Sequence, residues 1–251
     1  MFNNIIKGLQ AYPRALTLLS TLKLWKYFVI PIVISVVVAI AVAFAAYGWS
    51  DNVGAIIAKI WIWEWGKETF ITIGTFLGGL IILVIGLILY KHIIMALSAP
   101  FMSPVSEKIE AHLRGATTVR KSEASFQTLL WRGIRINLRN LIKELLLTLP
   151  LLLLKFIPGV NIFSAALLFL LQAYYAGFGN MDYTLERYYM FNDSVRFVQK
   201  NRGVAIGNGI GFLLLLLIPV IGIILVLPLS VTASTISTVE VLDPNMVSKN
   251  D

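Results

Sequence analysis

The sequence contains no cysteine. That excludes a disulfide framework, a thiolate metal site and a cysteine nucleophile, and it leaves the redox compartment undecided. Its two histidines, His92 and His112, are too few and too far apart to suggest zinc. Charge is scarce as well: 14% of residues are charged and 58% are apolar, against about 25% and about 45–50% in a soluble domain. Both departures point to a membrane protein. Motifs for nucleotide or covalent chemistry are missing too. GNGIG at 207–211 is not a dinucleotide fingerprint and opens no strand–helix unit, and there is no Walker sequence or nucleophile elbow. An enzyme and an ATP-driven pump are therefore disfavoured, and no cofactor is expected.

Long uncharged runs fill the space that charge leaves. Tyr27 to Trp49 carries no charge and is interrupted only by Pro31 and Ser35; as a helix it covers about 34 Å, enough for a hydrocarbon core of about 30 Å. No signal-peptide layout precedes it, so it is expected to stay in the protein. Phe70 to Tyr90 is a second uncharged run, and a helix over 69–99 would reach past the membrane edge, with Lys91 and His92 near the headgroups. Between the two, Trp61, Trp63 and Trp65 beside Glu64, Lys67 and Glu68 suit an interfacial belt. Gly74 and Gly78 form a G-x-x-x-G, either a packing seam or two ordinary membrane glycines.

The polar block 100–140 reads as cytoplasmic helices. Pro100 and Pro104 bracket an expected turn, followed by a short helix from Ser106 to Arg114 that ends at Gly115. Further on, Arg132, Arg135, Arg139 and Lys143 share one face of a helix whose other face carries Trp131, Ile134, Leu138 and Ile142. Such a helix can lie on an anionic leaflet before turning inward.

Two hairpins of similar plan follow, at 141–179 and 204–239, joined by a link at 180–203. Their tips, FIPGV and LIPVIG, hold helix breakers, and their arms are near or below spanning length. Short arms with broken tips suggest hairpins that enter and leave from one side, which requires protein or water around the tip backbone. The expected fold is an all-α integral membrane protein, a single membrane domain with two long transmembrane helices, two partly penetrating hairpins and cytoplasmic amphipathic helices. Of the positive charges, nine fall in residues 91–143 and only two in 50–69. That asymmetry puts the 50–69 loop outside, with both termini and the 180–203 link in the cytoplasm. The net charge of +8 flanks apolar runs, so no nucleic-acid partner is expected.

The block ALSAPFMSPVSEKIEAHLRG, residues 96–115, resembles the APF…EKxE segment of the CysZ sulfate permease family, which is related to the eukaryotic etoposide-induced membrane proteins. Ala99, Pro100, Phe101, Glu107, Lys108 and Glu110 carry the likeness, and Asp182 with Tyr183 adds a weaker match. The order of long segments, polar block and hairpins is similar across nearly the whole chain. The resemblance implies a bacterial inner-membrane protein that assembles as a homo-oligomer among membrane lipids and takes up sulfate. It also implies an anion site ahead of the first long helix, where the family has a Gly-Leu-Arg-Arg-like segment. Here that stretch is KLWKY, with Lys23 in the glycine place, Trp25 in that of the first arginine, and Lys26 keeping one charge.

An anion path needs donors or positive charge along it. Lys23 and Lys26 are the first candidates, then Lys155 beside a hairpin tip, then Arg132, Arg135 and Arg139 as collectors on the cytoplasmic side. Interfacial anchoring or snorkelling is the plain alternative for each. Glu107, Glu110 and Asp182 fit inter-helix ion pairs better than acid–base catalysis. The function expected is an oligomeric permease or channel for sulfate or a related oxyanion; the alternative is a non-transport scaffold or assembly factor of the same fold.

Overall fold

The computed structural model describes residues 1–59, 66–115, 122–154, 161–218 and 221–244. Among them it is all helix. The helices are α1 (Phe2–Thr21), α2 (Val29–Ala58), α3 (Lys67–Arg114), α4 (Phe126–Leu153), α5 (Asn161–Leu185), α6 (Phe191–Lys200), α7 (Arg202–Leu216) and α8 (Ile221–Leu242), with a 3-10 turn at Leu24–Phe28 ahead of α2. Four stretches are long and apolar enough to cross a membrane: Leu24–Ile56, Ile88–Arg114, Ile162–Leu185 and Ile224–Leu242. The tryptophan belt at 61–65 and the FIPGV tip lie outside the described residues.

The helix α1 was not anticipated. Its buried face is Gly8, Ala11, Ala15 and Leu19, a helical stripe of mostly small side chains that hydropathy hardly registers and that Pro13 further disguises. Small residues let α1 press on α7 and α8. The Tyr12 hydroxyl donates to the Asn208 carbonyl at 2.6 Å and lies 3.0 Å from Ser230 Oγ. GNGIG is explained by the same packing: Gly207 faces Ile5, Gly211 faces Tyr12, and Gly209 faces Ala173 of α5 on the opposite side.

α2 and α3 pair antiparallel through glycine. An added Cβ at Gly74 would stand 2.8 Å from the Gly54 carbonyl, and one at Gly78 2.7 Å from that of Ser50, so the G-x-x-x-G is a seam of close backbone approach. Ser35 and Tyr90 continue the register with a 2.5 Å hydrogen bond. Around this seam the pair is apolar on its outside, where Phe44 is 71% and Phe76 72% exposed, the pattern of helices facing lipid.

The turn expected at Pro100 and Pro104 does not form. α3 runs through both prolines for 48 residues, about 72 Å, and ends in the left-handed Gly115. Pro100 has no N–H to give the Ala96 carbonyl. Gly133 of α4 packs there, so closely that a Cβ would be 2.8 Å from that oxygen and 2.6 Å from the Ala99 methyl. Packing against α4, α5 and α8 thus keeps helical a segment whose local chemistry favours a break. The amphipathic stretch from 126 and the first hairpin arm are likewise one helix, α4. α2 continues past the expected loop start at 50 to Ala58, and Pro228 sits inside α8.

Candidate functional site

The candidate site begins where α1 gives way to α2. Lys23 holds φ 51°, the only non-glycine residue with positive φ among those described, at a cost of about 1–2 kcal/mol. That kink starts the 3-10 turn. Leu24 and Phe28 are buried and Trp25 packs partly into the core, which leaves Lys23 and Lys26 exposed on the outer side. Lys26 Nζ lies 5.4 Å and Lys108 Nζ 5.0 Å from the centre of the Tyr27 ring. Lys108, a residue of the EKxE segment at the far end of α3, is therefore brought to the head of α2. Neither Lys23 nor Lys26 has a carboxylate partner among the described residues.

The arginine stripe divides. Arg132 donates Nε to Asp182 Oδ2 and Nη2 to Asp182 Oδ1, both at 2.9 Å, and further to the Tyr189 carbonyl and Ser194 Oγ. Burial, the largest single influence, would lower its pKa, but the charge and hydrogen bonds of Asp182 together with the charge of Glu186 hold it above the ordinary value. This is a strut between α4 and the end of α5, with few donors to spare. Arg135 stacks over the Phe191 ring at 4.1 Å. Arg139 donates to Asn140 Oδ1 at 2.9 Å and lies 5.3 Å from the Phe178 ring. Lys155 lies outside the described residues.

The remaining motif residues tie α3 to the end of α5. Tyr183 donates to the Met95 carbonyl at 2.6 Å. Arg187 donates to Glu110 at 2.8 Å and to Ser106 Oγ at 3.0 Å. Arg114 reaches Glu110 at 2.7 Å and Asp243 at 3.0 Å, while the Tyr188 hydroxyl also donates to Glu110. Phe101 meets the Phe126 ring edge-on at 5.6 Å, and Glu107 accepts from the Ser122 amide at 3.5 Å. Ser103 donates to Glu186, whose pKa burial pushes up to about 7.

One cluster escaped sequence reasoning. Glu144 of α4 accepts from Lys91 Nζ at 2.6 Å and from His92 Nε2 at 3.0 Å, and all three side chains are buried. The bond to the carboxylate puts the ring proton on Nε2. His92 Nδ1 and Asn137 Oδ1 are then both buried acceptors without a partner among the described residues. The hint in the sequence was Glu144, beside Lys143, at the start of an arm that is otherwise mostly apolar.

Four helices long and apolar enough to cross a membrane, with an ionic cluster buried between α3 and α4 and hydroxyls buried along α8, describe a polytopic membrane protein. Residues 11–227 match the family model described as Sulfate transporter CysZ/Etoposide-induced protein 2.4, and the chain belongs to that family. A protein of Pseudomonas paraeruginosa named Sulfate transporter CysZ is 27% identical over 234 residues, covering 92% of this chain and 94% of its own. The proteins of the same name from two strains of Pseudomonas aeruginosa are 28% identical over 159 residues, covering 62% of this chain and 64% of theirs.

Proposed function

We propose that the chain is an inner-membrane permease or channel for sulfate or a related oxyanion, working as a homo-oligomer with both termini in the cytoplasm. The observation that carries this reading is the family match over most of the chain, together with a relative named for sulfate transport that aligns from end to end. The lysines at the head of α2 support it. A dianion there meets Lys23, Lys26 and Lys108 at the start of a helix, whose dipole favours negative charge. Single-point ammonium contacts give binding weak enough for release.

The helix register supports partly penetrating hairpins. Glu144 is level with Lys91 and His92. From Glu144 to Leu153 α4 extends about 14 Å further, whereas from Lys91 back to Lys67 α3 extends about 36 Å. α7, at 15 residues or about 22 Å, is short of a hydrocarbon core. In this reading α2 and α3 cross fully, and the 141–179 and 204–239 hairpins dip in and return.

Proteoliposomes of the purified protein should take up labelled sulfate, and Lys26→Gln with Lys108→Gln should cut the initial rate several-fold. No flux above empty liposomes for any of a panel of oxyanions, across pH and gradient, would sink the proposal. A scaffold of the same fold is the second reading, favoured by Trp25, whose ring packs partly into the core where an arginine would offer a fork.

A further inference from the structure

A cavity of about 580 Å³ opens between α4, α5, α6 and α7, with Met1 also in its lining. Its inner wall is Leu151, Leu167, Leu170, Leu171 and Ile206. Its other end is polar, formed by Tyr174, Gln199 and Arg202. Arg202 is exposed at the first position of α7 and has no carboxylate partner among the described residues. Gln199, Tyr174 and Met1 line the cavity beside it. An uncompensated guanidinium thus stands at one end of a slot whose depth is entirely aliphatic.

That combination selects the ligand. A free oxyanion would satisfy Arg202 but leave the leucine wall empty; a neutral hydrocarbon would fill the wall and ignore the charge. The slot runs from the α6–α7 junction toward the α4 tip, and from Tyr174 to Leu167 alone α5 rises about 10 Å, room for a good part of an acyl chain. Exposed Leu147, Leu149 and Leu167 continue the apolar surface outward, so a second chain can remain in the bilayer.

We propose that this slot binds one anionic glycerophospholipid, with its phosphate at Arg202, Gln199 and Tyr174 donating to the headgroup, and one acyl chain along Leu151, Leu167, Leu170 and Leu171. The inference rests on the hairpin depth proposed above, because the mouth must sit at the cytoplasmic headgroups. Bound lipid then fills the space between the two hairpins and ties their relative position to membrane composition.

The test is native mass spectrometry of the purified full chain exchanged into phosphatidylglycerol, phosphatidylcholine or inorganic phosphate, with thermal stability read in parallel. Wild type should retain one phosphatidylglycerol in preference to phosphatidylcholine, and Arg202→Gln should reduce that preference about fivefold, the share of one cationic contact with an anionic lipid. Leu170→Trp, which fills the slot but keeps Arg202, should abolish retention of both lipids. Equal retention of the two lipids, unchanged retention in Leu170→Trp, or stabilisation by inorganic phosphate matching that by phosphatidylglycerol would each overturn the proposal. Nitroxide-lipid quenching of a label at Leu149 reads the hairpin depth separately. Lipid retention without quenching would fault the depth and keep the site; quenching without preference would do the reverse.

Discussion

Lys91 and Glu144 are each within 2% of complete burial, and at that depth neither charge is tolerable without the other. Removing one partner leaves the second stranded: Lys91→Met should cost about 3–5 kcal/mol, whereas Lys91→Met with Glu144→Leu should recover most of it. Melting of the detergent-solubilised protein distinguishes the two, and equal loss in both would mean the pair is not ionic. Glu186 sets a pH dependence outside the apolar spans. Burial, with Asp182 adding to it, raises its pKa from 4.5 to about 7 against the pull of Ser103, Arg187 and Arg132. Between those values the folded state holds more protons than the unfolded one. The stabilisation is therefore complete below about pH 4.5 and lost as pH rises through about 7, worth at most about 3 kcal/mol. Glu186→Gln should flatten melting temperature across that window; an unchanged slope would assign it elsewhere. Which charges would meet was not legible in the sequence, since composition and periodicity rank positions as buried or exposed but do not pair them. Lys91 and His92 were expected beside the headgroups; that they are buried against a carboxylate of another helix was not foreseen. Lys108 reaches Tyr27 because α3 continues as helix through two prolines.

Helix continuity and close approach belong to the helix pairs. Where α5 and α7 meet, a Cβ on Gly209 would come 1.6 Å from the Ala173 carbonyl, inside any tolerable contact, while Gly48 of α2 has nothing within 4 Å. Gly209→Ala should therefore separate two helices and destabilise strongly, by several kcal/mol in line with overpacked cores. Gly48→Ala should raise the melting temperature slightly, because alanine is the better helix former by about 1 kcal/mol. Opposite signs in the same melting assay are the expected result; a neutral Gly209→Ala would show that α5 and α7 are free to shift. At this scale the sequence was informative wherever hydrophobicity is long and uninterrupted, as in α2 and the first half of α3. It misled where small residues or prolines carry the packing. The α1 stripe of Gly8, Ala11 and Ala15 has little hydropathic weight, and Pro100 signals a bend that burial against Gly133 overrides.

For the whole molecule the open quantity is how its apolar surface is divided between a bilayer and the neighbouring copies. Exposed aliphatic and aromatic side chains run the length of the α2–α3 pair; on the other helices they include Leu145, Leu146, Leu147, Leu149, Ile162, Phe163, Leu217 and Ile218 near the hairpin tips, as well as Phe126, Trp131, Leu138 and Ile142 along α4. A slab about 30 Å thick that covers the α2–α3 pair would enclose those tips without letting them emerge, since α4 rises only about 14 Å beyond Glu144. Because the chain has no cysteine, single cysteines report position without background. Asp51→Cys should react with an impermeant maleimide only from outside the cell, and Asp193→Cys in α6 only after the membrane is opened. Leu149→Cys should stay unreactive from both sides yet be quenched by nitroxides attached to mid-chain lipid carbons. Reaction of Leu149→Cys from outside would turn the first hairpin into a full crossing. Reaction of Asp193→Cys from outside would place the link between the hairpins on the far side, and the positive charge of the 91–143 block would then no longer set the orientation. The three labels together decide whether the lysines at the head of α2 meet an anion leaving the membrane or one approaching it.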